Sequence, residues 1–201
     1  MRNLNPLAWL RECALAWMVC AVWLAPAASP PVAAQKPAPK PVQEYEVKAV
    51  FLFNFVQFIK WPAAAFETAD SPIRIGILGE DPFGGVLDKI INGEAVSGRK
   101  LVVQRSRRLD ELNRCHLLFI CPSEKNRLAE IFAALKDASV LTVSEIDQFA
   151  QHGGMINFFL EGKRVRFEIN RDVAQRRGLE ISAQLLKLGR IVASGARKEG
   201  G

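Results

Sequence analysis

The sequence predicts an α/β fold class: a single domain with a mixed, mainly parallel sheet, helices on both faces and a C-terminal antiparallel hairpin. Between residues 73 and 143, short apolar segments alternate with helix-like segments, an order that is typical of a parallel sheet. After Gly153 and Gly154, apolar and polar residues alternate strictly on both sides of a turn. That second pattern predicts a hairpin with one face on the core and one face in solvent.

Residues 1–34 have the composition of a secretory signal peptide. Arg2 and Arg11 supply positive charge, and residues 13–25 form an uncharged apolar run that is too short to span a bilayer comfortably. Small residues suited to cleavage follow at 25–27 and at 32–34. We therefore expect a chain that is exported to the periplasm and starts at Gln35. The alternative interpretation is an uncleaved membrane anchor.

The remaining chain divides into three parts. Residues 35–44 are rich in Pro and Ala and predict a flexible tether, because they contain little that could be buried. Residues 45–192 predict the folded domain, which is long enough to bury a core. Residues 193–201 predict a disordered tail. The net charge of +6 is compatible with anionic partners, although an exported protein rarely meets nucleic acid and solubility explains the charge equally well.

The domain begins with an apolar segment that predicts a largely buried helix. Val50 to Ile59 is apolar on nearly every side, and Pro62 cannot continue a helix. On a helical projection Asn54 falls among Val47, Phe51 and Phe58, so we expect a buried amide with a structural hydrogen bond.

The centre of the chain predicts four strands and their connecting helices. The strands are 73–78, 101–103, 117–120 and 140–143, the third of which is apolar throughout. Asp81 and Pro82 predict the start of one helix, and Ser123 predicts the start of another. A short surface helix is expected at 107–113. After the hairpin, Asn170 predicts a short helix that ends at Gly178, and Ser182 starts a final helix that buries Leu185, Leu188 and Val192.

Two groups of residues are candidates for binding a partner protein. The outer face of the hairpin presents charged and aromatic side chains that could bind a flat surface or accept a strand. A second group follows the first helix and could form an exposed apolar anchor. Ordinary solvation is the alternative interpretation of the hairpin face. The candidates are Asn157, Phe159, Arg164, Arg166 and Glu168 on the hairpin and Trp61, Pro62 and Phe66 after the helix.

Only Cys115 and Cys121 remain after cleavage of the signal peptide. They bracket an apolar strand whose ends lie roughly 20 Å apart at ~3.3 Å per residue. A disulfide needs Cα atoms within about 7 Å, so these two thiols cannot pair within one chain if the strand is extended. We expect buried free thiols, with an intermolecular disulfide as the alternative.

No catalytic, metal or cofactor site is predicted. His116 lies inside an apolar strand and is expected to be a hydrogen-bonded core residue, whereas His152 has no neighbour at metal-ligand spacing. The loop 79–85 lacks the Lys and the glycine spacing of phosphate-binding motifs. The arginines between 105 and 114 are mixed with acidic residues and have no interleaved aromatics, so we expect a solvated surface and no nucleic-acid site.

Read in order, several segments resemble the YfiR-like family of periplasmic proteins. Their order and spacing carry the resemblance, which covers residues 45–192. The segments are KAVFLFNFVQFIKWP at 48–62, IRIGILGEDPF at 73–83, CHLLFI at 115–120, LTV at 141–143, GGMIN at 153–157, FEIN at 167–170 and GLEISAQLLKL at 178–188.

The resemblance implies a small α/β domain, commonly dimeric. Together with export and the missing catalytic residues, it predicts a regulator without enzymatic activity of its own. It implies that the protein represses a membrane-bound diguanylate cyclase by docking on the periplasmic sensor domain of that enzyme, with effects on cyclic di-GMP and biofilm. An outer-membrane lipoprotein is the implied partner that sequesters the repressor. Relatives often carry additional cysteines that form disulfides, which this sequence lacks. The alternative function is binding of a small ligand in the crevice of an open α/β sheet.

Overall fold

The computed structural model describes residues 42–112 and 114–195. The fold is organised around an eight-stranded sheet with the strand order β10-β8-β7-β6-β5-β2-β4-β3. The strands of this sheet are β2 (Ile73–Leu78), β3 (Ala95–Val96), β4 (Arg99–Ser106), β5 (Leu117–Ile120), β6 (Leu141–Ser144), β7 (Ile156–Glu161), β8 (Arg164–Ile169) and β10 (Arg190–Ile191).

The sheet is mixed and mainly parallel. Strands β4, β2, β5, β6 and β7 run parallel to one another, and β3 pairs antiparallel with β4. Strand β8 turns back antiparallel to β7 through the turn at Gly162, and β10 pairs parallel with β8. The sheet has its topological switch point between β2 and β5, the position at which doubly wound sheets form a crevice beyond the carboxyl ends of their strands. The predicted fold class is therefore confirmed.

Helices cover both faces of the sheet. One face packs against α1, α2, α4 and α5 around the large core that contains Leu52, Phe55 and Phe158. The other face packs against α3 in a smaller core with Ile131 and Phe149. The helices are α1 (Val42–Phe58), α2 (Gly85–Ile91), α3 (Leu128–Ala134), α4 (Arg171–Arg176) and α5 (Ala183–Leu188), with 3₁₀ turns at Ala63–Ala65, Leu109–Leu112 and Pro122–Arg127.

A separate two-stranded ribbon joins the two ends of the domain. Strand β1 (Ile59–Lys60) follows α1 directly and pairs antiparallel with β9 (Glu180–Ile181). The Ser182 backbone N–H also donates to the Phe58 carbonyl at 3.0 Å. Residues at the start and the end of the folded chain are thus hydrogen bonded to each other. Because these strands have two residues each, the sequence pattern did not predict them.

The strand predictions are confirmed for the central sheet, and both capped C-terminal helices form. The last helix ends at Leu188, which is 66% exposed, so the predicted burial of Leu188 is wrong. Asn170 accepts from the Val173 N–H at 3.2 Å, and Ser182 accepts from the Leu185 N–H at 3.2 Å. The predicted helix start at Asp81 is wrong, because the Asp81 carboxylate accepts from the Phe83 N–H in a turn and α2 begins only at Gly85. Ser123 caps no helix either. Its hydroxyl accepts from the Glu80 N–H across the sheet edge.

The boundaries of the domain differ slightly from those expected. Helix α1 starts at Val42, so the last three residues of the predicted tether, 42–44, are helical. At the other end, the Gly195 N–H donates to the Gln151 carbonyl at 3.1 Å, and Asn170 donates to the Ser194 hydroxyl at 2.9 Å. The first residues of the predicted tail are therefore hydrogen bonded. The predicted signal peptide (1–34), most of the tether and residues 196–201 lie outside the described residues.

One glycine is required by close packing. A Cβ atom on Gly154 would lie 2.1 Å from Cε1 of the buried Phe149 ring, so Gly154→Ala must displace that ring. We expect a loss of about 1–3 kcal/mol in the free energy of unfolding, measured by urea denaturation. Gly85→Ala is the matched control, because its Cβ would meet nothing within 4 Å at the start of α2. Equal effects of the two substitutions would contradict this assignment.

Candidate functional site

Helix α1 buries one face deeply against the sheet. Ala49, Leu52, Phe55 and Val56 are fully buried, and Phe55 stacks on Phe158 with ring centroids 5.6 Å apart. These positions follow the 3–4 spacing of a helix face. The burial holds α1 rigidly in place, so the opposite face of the helix has a defined position on the surface.

The opposite face of α1 carries two uncovered apolar residues among polar ones. Val47 and Val50 are 41% and 44% exposed, on the same side of the helix as Glu46 and Gln57. Leu160 at the hairpin tip is also exposed, at 51%. We call the surface formed by Val47, Val50 and Phe51 of α1 with Leu160 of the hairpin the α1 face. Contiguous exposed apolar side chains mark surfaces that bind other molecules.

Two grooves run along this face, one on each side of α1. The α2 groove, about 610 Å³, lies between α1 and α2 and is lined by Val50, Asn54, Val86 and Ile90. The hairpin groove, about 740 Å³, lies between α1 and the β7–β8 hairpin. Its apolar lining comes from Val47, Phe51, Leu160 and Val165, and its polar lining includes Lys163, Arg164 and Arg166. Concave apolar grooves beside a rigid helix accept side chains from a partner.

The hairpin groove is bordered by positive charge. Arg166 is 3.3 Å from the Glu161 carboxylate, which balances its charge. Lys163 and Arg164 are exposed and have no ion-pair partner among the described residues. On the other side of the groove, Glu44 is bound to the buried Lys48. The hairpin groove therefore carries two cations that are not neutralised within the described chain.

The crevice at the switch point of the sheet is filled by the start of α1. Lys48 is buried and forms ion pairs with both Glu44 and Glu145, which follows β6. The Tyr45 hydroxyl donates to Glu145 at 2.8 Å, and burial together with this carboxylate raises the pKa of the hydroxyl. Side chains of the protein itself thus occupy the place where a small ligand was expected under the alternative function.

Asn54 is not the buried amide that the sequence predicted. It is half buried and lines the α2 groove, and its side chain makes no hydrogen bond to a described residue. The prediction was wrong because α1 turns Leu52 and Phe55 towards the sheet and leaves Val47 on the outside. The amide of Asn54 is therefore free to hydrogen bond with a partner in the α2 groove.

The expected exposed anchor after α1 is mostly inside the protein. Trp61 is 8% exposed and its indole N–H donates to the His116 carbonyl at 3.0 Å, so the prediction of an exposed Trp is wrong. Phe66 is half buried, with its ring stacked on His116 at 4.5 Å and under the Arg99 guanidinium at 3.8 Å. Pro62 is also half buried and precedes a 3₁₀ turn. These contacts give the three residues a structural role.

The outer face of the hairpin is exposed only near its tip. Arg164 and Arg166 are exposed as predicted. Asn157 is buried, and its side chain accepts from the Phe149 N–H and donates to the Phe158 carbonyl, both at 2.8 Å. The predicted exposure of Asn157 is therefore wrong, because the turn at 146–152 covers this end of the hairpin.

Two further residues of this face are covered by neighbours. Glu168 is 8% exposed and accepts hydrogen bonds from Gln151 and Arg190, so its predicted exposure is also wrong. The guanidinium of Arg190 lies 4.5 Å from the centroid of the half-buried Phe159 ring. Arg190 belongs to β10, a strand that the sequence did not predict. Its side chain thus covers much of the hairpin face that was predicted to be exposed.

Both described cysteines are free and buried, as expected. Burial raises the pKa of the Cys115 thiol to about 11. Burial and the nearby Asp81 and Glu124 carboxylates also raise the pKa of the Cys121 thiol. Both thiols stay protonated at neutral pH, which makes them poor nucleophiles and argues against an intermolecular disulfide.

His116 is a core residue, as predicted. Its Nδ1 accepts from the Arg74 N–H and its Nε2 donates to the Ala65 carbonyl, both at 3.1 Å. Burial lowers the pKa of His116 to about 4, and the positive charges of Arg74 and Arg99 contribute in the same direction. Within residues 42–112 and 114–195, no group of three or more His, Cys, Asp or Glu residues is placed to hold a metal ion. The same residues contain no helix with the length and apolarity needed to cross a bilayer.

The sequence did contain a signal for the α1 face. Gln43, Glu46, Asn54 and Gln57 are polar residues at helical spacing, and they mark the exposed stripe of α1. Val47 and Val50 lie on the same stripe. An apolar pair inside a polar stripe indicates a surface that is uncovered in the monomer.

Several solved structures resemble this chain, of which two are described. One is a conserved domain protein from Vibrio cholerae O1 biovar El Tor, with 11% sequence identity and a TM-score of 0.49. The alignment covers 73% of this chain and 59% of the Vibrio protein. The other is the ABC domain in complex with L-Trp from Streptococcus pneumoniae, with 11% identity, a TM-score of 0.44 and coverage of 60% and 55%.

The comparison with protein families is more specific. The model of the YfiR/HmsC-like family matches residues 45–190, which is nearly the whole folded part of the chain. The match begins in α1 and ends at β10, so it contains the α1 face and most of the lining of both grooves. The chain therefore belongs to the YfiR/HmsC-like family.

Proposed function

We propose that this protein is a periplasmic regulator that represses a membrane-bound diguanylate cyclase by binding the periplasmic sensor domain of that enzyme. Family membership supports the regulatory role. The uncovered apolar α1 face carries the proposal, because Val47 and Val50 are exposed apolar side chains within the otherwise polar outer stripe of α1. A protein that acts through such a surface needs no catalytic group of its own.

Repression follows from a difference in affinity. A sensor domain exchanges between conformations that switch the cyclase on and off, and a partner that binds the inactive conformation more tightly shifts the population towards it. The binding surface must then have a fixed shape. The aromatic cluster under α1 supports such a surface, with Phe51 and Phe55 packed against Phe167 at 5.4 and 5.1 Å.

The hairpin candidates retain part of their proposed role. Arg164 and Arg166 line the hairpin groove next to Leu160, so they remain partner-binding residues in this proposal. An outer-membrane lipoprotein that sequesters the regulator, and a homodimer, also belong to the proposed pathway. The alternative of a small-ligand protein is less well supported, because Tyr45 and Lys48 fill the crevice that it would use.

Val50→Glu tests the α1 face directly. A carboxylate at the centre of the face would have to be desolvated on binding, so we expect the sensor domain to bind about 30-fold more weakly, a loss of about 2 kcal/mol. Binding would be measured by titrating the purified full chain with the periplasmic domain of the cyclase that co-purifies with it. Cells carrying the variant should show raised cyclic di-GMP and stronger attachment.

Gln57→Glu is the control for this experiment. It adds the same charge to an exposed position of the same helix, outside both grooves. Binding and cyclic di-GMP should then match the wild type. If deletion of the whole gene leaves cyclic di-GMP and attachment unchanged, the proposed repression of a cyclase is wrong.

A further inference from the structure

The hairpin groove combines an apolar floor with a cationic border. Val47, Phe51, Leu160 and Val165 form the floor, which holds a volume of about 740 Å³. Lys163 and Arg164 stand at the border without an ion-pair partner among the described residues. Charged groups around an apolar contact select the partner and steer its approach.

We infer that the hairpin groove binds an apolar segment of another protein that carries carboxylates beside its apolar side chains. The apolar side chains of the segment fill the space between α1 and the hairpin, and its carboxylates pair with Lys163 and Arg164. The inference rests on the proposed function where the segment belongs to the sensor domain of a cyclase, but it specifies the chemistry of the partner, which family membership does not.

A second copy of the chain fits this groove poorly. A twofold dimer places the same surface patch on both sides of the interface, so the cations of one copy would lie near those of the other. Glu46 is the exposed acidic residue that lines the two grooves, because Glu44 is paired with Lys48. Glu161 at the hairpin tip is paired with Arg166, whereas Lys89, Lys163 and Arg164 are all positive. Like charges in contact disfavour association, which leaves an acidic partner as the better complement.

A lipid bilayer fits less well than a protein. Anionic lipids would attract Lys163 and Arg164, but a bilayer surface cannot enter a groove between a helix and a hairpin. The side chains of a protein segment can enter the hairpin groove, as they do in other complexes in which a helix lies in a groove. The shape of the site therefore favours a protein segment.

In-cell photo-cross-linking at position 160 tests the inference. A photoreactive phenylalanine analogue replaces Leu160 in the full chain, the cells are irradiated, and mass spectrometry maps the peptide that is captured. We expect a peptide from another exported protein with apolar residues next to Asp or Glu. Lys163→Glu combined with Arg164→Glu should reduce the cross-link by about tenfold, because attraction at the border becomes repulsion.

Two controls isolate the effect of the groove. The same analogue at exposed Lys136, in the turn after α3 on the opposite face of the sheet, should not capture the peptide. Lys125→Glu combined with Lys136→Glu makes the same change of charge far from the groove and should leave the cross-link at position 160 unchanged. Thermal denaturation would verify that both double variants are folded.

The outcomes separate this inference from the proposed function. An acidic apolar peptide from a cyclase supports both. Such a peptide from another exported protein supports the groove alone, and the effect of gene deletion on cyclic di-GMP then decides the cyclase assignment. Capture of this same chain, capture of lipid, or no capture above the position-136 control would overturn the inference. An unchanged cross-link after charge reversal at 163 and 164 would also overturn it.

Discussion

Lys48→Met is expected to lower the free energy of unfolding by about 3–5 kcal/mol, because it leaves two carboxylates buried without their cation. Lys48 lies at the start of α1 and joins Glu44 on the same helix to Glu145 after β6. The side chains of Glu44 and Glu145 are almost as inaccessible to solvent as that of Lys48. Methionine keeps the length of the side chain, so the loss reports on charge rather than volume. Urea denaturation at neutral pH measures it.

Lys60→Met provides the matched control for that loss. Lys60 also pairs with a glutamate, Glu180, at 3.3 Å, but the two side chains are 77% and 73% exposed. An exposed ion pair contributes at most about 1 kcal/mol, so this variant should stay close to the wild type. If Lys48→Met and Lys60→Met lowered the free energy of unfolding equally, burial would not be the reason why the Lys48 ion pairs stabilise the protein.

The stability of the protein should also depend on the protonation of His116. The pKa of His116 is about 4 in the folded protein and 6.5 when the group is unperturbed, so the unfolded chain binds a proton more readily. The contribution of His116 is therefore complete above pH 6.5 and is lost as the pH falls towards 4. From these two values we expect a loss of about 3 kcal/mol across this interval.

His116→Asn isolates this contribution from other acid effects. Asparagine can still accept from the Arg74 N–H but does not titrate. Between pH 6.5 and 4, the unfolding free energy of the variant should therefore fall by about 3 kcal/mol less than that of the wild type. His152→Asn, at an exposed position, should follow the wild type across the same pH range. Parallel curves for the wild type and His116→Asn would show that the buried imidazole does not control acid stability.

The central sheet was predictable from the sequence because its strands carry a simple signal. Leu117 to Ile120 is apolar throughout and lies in the middle of the sheet, and the hairpin follows a clear alternation around Gly162. The caps at Asn170 and Ser182 are local interactions that depend on a few neighbouring residues. Signals of this kind survive without knowledge of the tertiary structure.

The docking surface was less predictable because exposure depends on contacts that are distant in sequence. Asn157 and Glu168 alternate correctly for an exposed face, yet the turn at 146–152 covers Asn157, and Gln151 and Arg190 bind Glu168. Trp61 is buried, and its indole N–H donates to the carbonyl of His116, which lies 55 residues further along the chain. A periodic pattern assigns side chains to two faces of an element, but it does not show which parts of each face a later segment covers.

The ribbon between β1 and β9 has a consequence for biosynthesis. Helix α1 and β1 are among the first elements to be synthesised, yet β1 pairs with Glu180 and Ile181, which follow about 120 residues later. This ribbon can form only after Ile181 has been synthesised. Contacts of such long sequence separation slow folding. Until then the apolar residues of α1 lack their cover, so a nascent chain depends on protection from aggregation.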